Sequence, residues 1–170
     1  MTLISISDLA VLSSLTRWQN VPTVRRETVA EHLAQVALIV MKLHSESYAF
    51  DLGHALKLAL LHDVPEIWLS DIPHNVAGRF PQIAAAKASA EAQIVTELLP
   101  EWQAEFDELA AEQSMEAKVV KLADSMQVLQ FCEAELALGD NRAIAKVYNE
   151  CQAIVQKLTA DLPQEAHDKS

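Results

Sequence analysis

Leu58-Ala59-Leu60-Leu61-His62-Asp63-Val64-Pro65-Glu66 is an apolar helical run that ends in a histidine and an aspartate, with a glutamate three residues later. Polar groups that can hold a metal or a proton stand where the hydrophobic pattern would otherwise continue. Neighbouring helical residues point about 100° apart, so His62 and Asp63 can share one ion only at the edge of the helix's buried face. Further ligands then have to come from other helices. Two residues interrupt apolar helical faces in the same way: His32 in Thr28-Val29-Ala30-Glu31-His32, and Asp124 in Val119-Val120-Lys121-Leu122-Ala123-Asp124. The set is two imidazoles and two carboxylates from three separate segments.

Outward from this stretch, the composition favours helices. Hydrophobic residues make up 51% of 170 residues, with only 3 glycines and 6 prolines and few β-branched runs, so an all-α protein is expected. One domain spanning residues 1–170, with a polar tail from about 163, accommodates that length. The net charge of −11 excludes a general nucleic-acid-binding surface, which needs clustered Lys and Arg. It leaves room for a small anionic substrate held by a local basic pocket, and Arg17, Arg25 and Arg26 lie close together in sequence. No apolar run approaches the roughly 20 residues that span a bilayer, and the N-terminus lacks the basic start and apolar core of a signal peptide. Cys132 and Cys151 form no Cys-x-x-Cys motif, so a reduced, cytoplasmic setting is expected.

The periodicity predicts six or seven helices in one bundle. The first starts at Ser5 or Ser7, turns Ile6, Leu9, Leu12 and Leu15 inward, and stops before Asn20, which puts Arg17 and Trp18 at its C-terminal end. Thr28 and Glu31 fit a capping box for the second helix, with His32 in its first turn and Val36, Ile39, Val40 and Leu43 continuing its apolar stripe. Asp51 caps a third helix, which runs to His62-Asp63 where Pro65 limits it. Residues 64–81 read as the least regular stretch, with a helical turn at Glu66 to Leu69, and hold Glu66, Asp71, His74 and Arg79. Helices follow over Ile83 to Leu99, Pro100 to Glu112, Met115 to Leu138 between Ser114 and Gly139, and Asn141 to Leu162.

Neutral imidazole and carboxylate together suit a first-row divalent ion of the Mn²⁺, Co²⁺, Fe²⁺ or Zn²⁺ class, whereas oxygen-only sites suit Ca²⁺ or Mg²⁺. Such an ion polarises a phosphoryl oxygen and lowers the pKa of bound water from 15.7 to about 7 in the best case, so hydrolysis is the economical inference. Glu66 could orient the attacking water or pass its proton, and Asp71 could act likewise from the following loop. Each residue alone has a bland reading: His32 as a packed histidine, Asp124 as a hydrogen-bonded core carboxylate, Glu31 as a cap and nothing more. The joint pattern carries more weight, because buried charged groups are costly without partners, and one ion accounts for all four. Trp68, Trp102, His44, His54 and both cysteines read as packing or surface residues, with His74 an outside candidate for substrate contact.

These residues also carry a resemblance. Glu31-His32, His62-Asp63-x-x-Glu66 with Asp71 following, and Lys121-Leu122-Ala123-Asp124 resemble the HD-domain metal-dependent phosphohydrolases. The bacterial 5'-deoxynucleotidase branch is the nearest, and Arg17-Trp18 and the stretch from Arg25 to His32 are similar to it too. The resemblance implies an HD-type helical fold, one divalent transition metal on His32, His62, Asp63 and Asp124, and Glu66 with Asp71 as the acid-base group. It further implies hydrolysis of deoxyribonucleoside 5'-monophosphates, substrate contact by Arg17 and Trp18, and a homodimer. Two departures stand out. Leu33 replaces a usual serine, and the loop after Pro73 lacks an expected lysine, which leaves Arg79 as the candidate for that phosphate contact. Ile67, where enzymes acting on guanosine tetraphosphate carry Asp, disfavours that branch. The alternatives are an HD-type phosphatase or pyrophosphohydrolase acting on another small phosphorylated metabolite, and a metal-stabilised binding domain without turnover.

Overall fold

The computed structural model describes residues 4–45 and 48–162, with all their side chains except those of residues 74, 75 and 77. The architecture is all-α. Six long helices dominate it: α2 (Val29–Ser45), α3 (Leu52–Leu61), α6 (Pro81–Leu98), α7 (Gln103–Ala111), α8 (Met115–Leu138) and α9 (Arg142–Asp161). Three short ones, α1 (Ile6–Leu9), α4 (Glu66–Leu69) and α5 (His74–Arg79), complete the α-helices among the described residues. The expected tail beyond residue 162 lies outside them, as does the side chain of His74.

The central element is α8, which packs against α9, α2 and α3. It is a 24-residue helix capped by Ser114, whose hydroxyl accepts the Ala117 N–H at 3.1 Å, and it carries no Gly or Pro within. Because other helices cover it on several sides, it buries residues all round, including Val119, Leu122, Ala123, Gln127, Phe131 and Cys132. Val36 and Val40 of α2 and Leu58 of α3 meet Val119 and Leu122 in the main core. Leu58 is fully buried, and truncating such a side chain to Ala typically costs about 2–5 kcal/mol. The caps on α2 and α3 follow the sequence. Glu31 and Thr28 bond reciprocally at 2.7 and 3.2 Å, and Asp51 accepts the His54 N–H at 3.0 Å.

The N-terminal segment departs from expectation. Its helical part shrinks to α1, closed on Ser5 and Asp8, and a 3₁₀ turn at Ala10–Ser13. Ile6 is 91% exposed rather than inward, while Leu12 is buried. The chain then turns extended, with Arg17 N–H donating to Glu27 O and Val29 N–H to Leu15 O, both at 2.9 Å, across a bridge between Thr16 and Thr28. Those bonds satisfy backbone groups that a longer helix would have satisfied internally, so the apolar spacing of Leu9, Leu12 and Leu15 did not decide the conformation. Arg17 and Trp18 therefore lie alongside the start of α2 and not at a helix end. The connector is pinned from below by the buried Glu135 carboxylate, which accepts the N–H groups of Val24 and Arg25 at 2.7 and 2.9 Å.

Candidate metal centre and active site

His32 from the first turn of α2, His62 at the C-cap of α3, Asp63 beside it and Asp124 from α8 meet at one point. The two imidazole Nε2 atoms are 3.2 Å apart. Asp63 Oδ2 lies 3.5 Å from each Nε2, and Asp124 Oδ1 lies 3.3 Å from that of His32. The burial is graded: His32 is wholly enclosed, while Asp63 and Asp124 retain 21% and 28% of their side-chain exposure and so open the cluster to one side.

Hydrogen bonds on the far side of each ring fix what faces inward. His62 Nδ1 sits 2.8 Å from the Ala59 carbonyl, which only accepts, so Nδ1 carries the hydrogen. His32 Nδ1 sits 2.7 Å from Gln127 Oε1. The amide is oriented by Glu27, whose carboxylate accepts from Gln127 Nε2, as does Gln35 Oε1 at 3.0 Å. Gln127 therefore turns its oxygen to His32, and His32 also carries its hydrogen on Nδ1. Both Nε2 lone pairs then point at each other and at two carboxylate oxygens. Electron-pair donors without a hydrogen among them need a cation; His32, His62 and Asp124 lie close enough together to hold one, and Asp63 stands 3.5 Å from each imidazole. The donor set fits a divalent transition metal. A proton on an imidazole Nε2 is the competing occupant. In that state burial raises Asp124, but the hydrogen bond with His32 and the charges of His62, His32 and Arg17 outweigh it and hold the carboxyl well below its ordinary range.

Around this point the structure gathers a polar rim. Arg17 Nη1 donates to Glu27 Oε2 at 3.3 Å and to Gln127 Oε1 at 3.4 Å. Its guanidinium also feels Asp63, Asp124 and Asp71, so despite burial its pKa moves up and the charge is permanent. Trp18 Nε1 donates to the same Glu27 oxygen at 3.0 Å, and its ring stacks on Phe131 at 4.8 Å. Asp71 accepts a backbone hydrogen bond from Trp18. A cavity of about 290 Å³ opens here, lined by Arg17, Trp18, Asp71 and Asp124 on its polar side and by Val128, Val147 and Ile154 on its apolar side. That is near the small end of ligand pockets, roughly 300–1,000 Å³.

Glu66, in the first turn of α4, is only 4% exposed, and its Oε2 has no hydrogen-bond partner. Burial, with Asp63 and Asp71 close by, pushes its pKa up to about 8 against the opposing charges of Lys87 and Arg17. Burial also raises Asp71, although Arg17 restrains it. The cation at Glu66 is Lys87 of α6, with Nζ 3.8 Å from Oε1. Arg79, expected at the phosphate, is exposed and lies over the Phe80 ring at 5.8 Å. The two buried cysteines are inert partners of the core: burial pushes Cys132 up to about 12 and Cys151 up to about 11. His54, in the first turn of α3, pairs with Glu108 at 2.6 Å, consistent with its assignment to packing or surface.

Glu27, Gln127, Gln35 and Lys87 were not legible as site residues. Gln127 offered a signal, since it stands three residues after Asp124 and so shares its helical face. Glu27 read as one more charge in a connector.

This helical bundle, with candidate ligands from three segments and an acidic pair beside them, shares its fold with solved HD phosphohydrolases. A cyanophage S-2L HD phosphohydrolase solved bound to dA and one catalytic Zn²⁺ superposes with a TM-score of 0.77 at 21% identity, covering 97% of this chain and 90% of that one. A protein of Pyrococcus horikoshii superposes at 0.76 with 24% identity, over 92% and 95% of the two chains. Residues 6–166 match the family described as 5'-deoxynucleotidase YfbR-like, and the chain belongs to that family. A 5'-deoxynucleotidase of Vibrio vulnificus is 32% identical over 151 residues, covering 81% of this chain and 78% of the relative.

Proposed function

We propose that the chain, acting as one domain, is a metal-dependent phosphoric monoester hydrolase that cleaves deoxyribonucleoside 5'-monophosphates to deoxynucleoside and phosphate. The observation that carries this is the cluster of inward-facing imidazole and carboxylate lone pairs that reaches, through Asp124, a cavity lined by Arg17 and Trp18. Family membership and relatives named 5'-deoxynucleotidase support the substrate class.

His32, His62, Asp63 and Asp124 hold the ion, of the Mn, Co, Fe or Zn class by its nitrogen and oxygen donors. When bound, it supplies Lewis acidity to the phosphoryl group and to water. Arg17, with its charge fixed by the surrounding carboxylates, binds the phosphate. Water oxygen attacks phosphorus, the P–O5' bond breaks with its electron pair on O5', and one proton leaves the water as another reaches O5'. Glu66 and Asp71 hold and pass those protons. The buried Glu66, with one carboxylate oxygen unpartnered and Lys87 at the other, has both the enclosure and the free oxygen for that task. Trp18 walls the sugar, its ring held flat by Phe131 and Glu27. We further read the protein as a cytoplasmic homodimer. No described helix is long and apolar enough to cross a membrane, and exposed Leu38, Met41 and Leu60 supply apolar surface for a second copy.

The test is phosphate release from a panel of deoxynucleotides, ribonucleotides and sugar phosphates, with Mn²⁺, Co²⁺ or Zn²⁺ added and after chelation. Metal-dependent release from deoxynucleotides, slowed by a factor on the order of 10² to 10⁴ in Glu66→Ala at unchanged metal content, is expected. No release from any substrate at full metal occupancy would overturn it in favour of a binding domain. Release confined to other phosphorylated metabolites would move the substrate assignment.

A further inference from the structure

Arg17 and Trp18 directly, and the proposed ligand His32 through Gln127, converge on one buried carboxylate, Glu27. Glu27 is 1% exposed, and Gln127 and His32 are wholly buried. Glu27 Oε1 accepts from Gln127 Nε2, and its Oε2 accepts from Trp18 Nε1 at 3.0 Å and Arg17 Nη1 at 3.3 Å. Gln127 Oε1 in turn accepts from His32 Nδ1 at 2.7 Å and from Arg17 Nη1 at 3.4 Å. Metal-bound histidines commonly donate their second ring nitrogen to a carboxylate or carbonyl, which fixes tautomer and ring orientation. Here the carboxylate acts at one remove, through an amide.

We propose that Gln127 is a positioning residue, the central link of a buried Glu27–Gln127–His32 relay that locks His32 with Nδ1 protonated and Nε2 free for the metal. The inference rests on the reading of His32 as a ligand. An amide suits this place for a physical reason. It must present an acceptor to His32 and a donor to Glu27 at once, which a neutral Gln does and a carboxylate cannot, since two carboxylates would then face each other with no proton between them. An apolar side chain would leave His32 Nδ1–H and one Glu27 oxygen buried without partners. With the relay broken, the His32 ring can take its other tautomer and place a hydrogen on the nitrogen that must bind the ion.

The relay makes a specific prediction for a charge-conserving exchange. In the Glu27→Gln/Gln127→Glu double variant, the carboxylate at position 127 accepts from His32 Nδ1 directly. The amide at position 27 accepts from Arg17 and Trp18 and donates back to position 127, and Gln35 meets that position by turning its amide. Each hydrogen bond keeps its place, with donor and acceptor exchanged between the first two links.

The experiment is titration of metal-free wild type, Gln127→Leu, Gln127→Glu and the double variant with Zn²⁺ and Mn²⁺, followed by calorimetry. The ¹⁵N shifts of the His32 ring report its tautomer, and thermal melts confirm folding. Wild type is expected to bind one ion with His32 Nδ1 protonated, Gln127→Leu to lose about 10- to 100-fold in affinity with a mixed tautomer, and the double variant to recover most of that loss over Gln127→Glu. Wild-type affinity and tautomer in folded Gln127→Leu would overturn the relay, as would a double variant no better than Gln127→Glu. If wild type itself binds no ion, or if His32→Ala binds as wild type does, the ligand assignment fails instead, and the two failures are told apart.

Discussion

If the proposed ligands hold an ion, removing it should unfold the protein at a markedly lower temperature, because those ligands come from α2, α8 and the end of α3, the elements that meet in the main core. Without it, two Nε2 lone pairs stand 3.2 Å apart with two carboxylate oxygens 3.3–3.5 Å away, an arrangement that only protons can relieve. A ligand that binds only the folded state stabilises it by about 4 kcal/mol when present at 1,000 times its dissociation constant. For a chain of this size each kcal/mol shifts the midpoint by roughly 2–4 °C, so chelation is expected to lower Tm by roughly 8–16 °C. The assay is calorimetry of protein loaded with Mn²⁺, Co²⁺ or Zn²⁺ against the same protein after chelation and dialysis, with metal content measured on each. His62→Ala should abolish the metal-dependent shift, while His44→Ala should preserve it in full. A Tm that stays within about 2 °C while bound metal falls to zero would refute the idea that the ion joins three helices. So would full metal occupancy in His62→Ala.

Other outcomes follow from single residues. Glu66 has a folded pKa of about 8 against an ordinary 4.5, so between those values the folded chain holds a proton that the unfolded chain has lost, and stability falls as pH rises through that window. Metal-free Glu66→Gln should therefore melt higher than metal-free wild type at pH 7.5, by about 1–3 kcal/mol, with the advantage gone near pH 4. Lys87→Ala removes the cation beside Glu66 and should lower turnover about tenfold, a loss of about 1.4 kcal/mol, while Arg79→Ala, exposed over Phe80, should leave it within about twofold. Wild type should prefer dAMP to AMP by about 10²-fold at limiting concentration. Trp18→Ala should narrow that preference, and Arg17→Ala should weaken use of both; equal wild-type rates would remove the sugar-selecting role.

The elements legible in the sequence are those where local chemistry and burial agree. The capping box at Thr28 and Glu31, Asp51 before α3, Ser114 and Gly139 around α8, and the turn at Glu66–Leu69 each stand where spacing and cap chemistry put them. The four proposed ligands were visible because each interrupts an apolar face, which is a local signal. What was illegible depends on long-range partners. The first helix failed because residues 15–17 gain backbone bonds to residues 27–29, a pairing that no short window contains. Gln127 and Glu27 lie 100 residues apart, and although Gln127 shares the face of Asp124, nothing local joins it to Glu27. Lys87 reads as an ordinary surface lysine in an alanine-rich helix until α6 folds against α4 and brings it to Glu66.

Backbone strain shows how these long-range contacts serve the cavity. Trp18 and Ser70 have φ of 64° and 60°, a region that side chains with a Cβ rarely adopt and that costs of order 1–3 kcal/mol each. Trp18 lines the cavity itself, and Ser70 directly precedes Asp71, which lines it too. The two segments also meet, since Asp71, the residue after Ser70, accepts a backbone hydrogen bond from Trp18. Trp18 is kept in place by its bond to Glu27 and its stack on Phe131, and the connector after it is pinned by Glu135. A relaxed backbone at residue 18 would swing the indole away from Glu27 and withdraw the donor to Asp71. The energy spent on these turns therefore fixes the distance between the Arg17–Trp18 wall and the acidic side of the cavity. It does so by contacts to α8, the helix that also supplies Asp124 and Gln127.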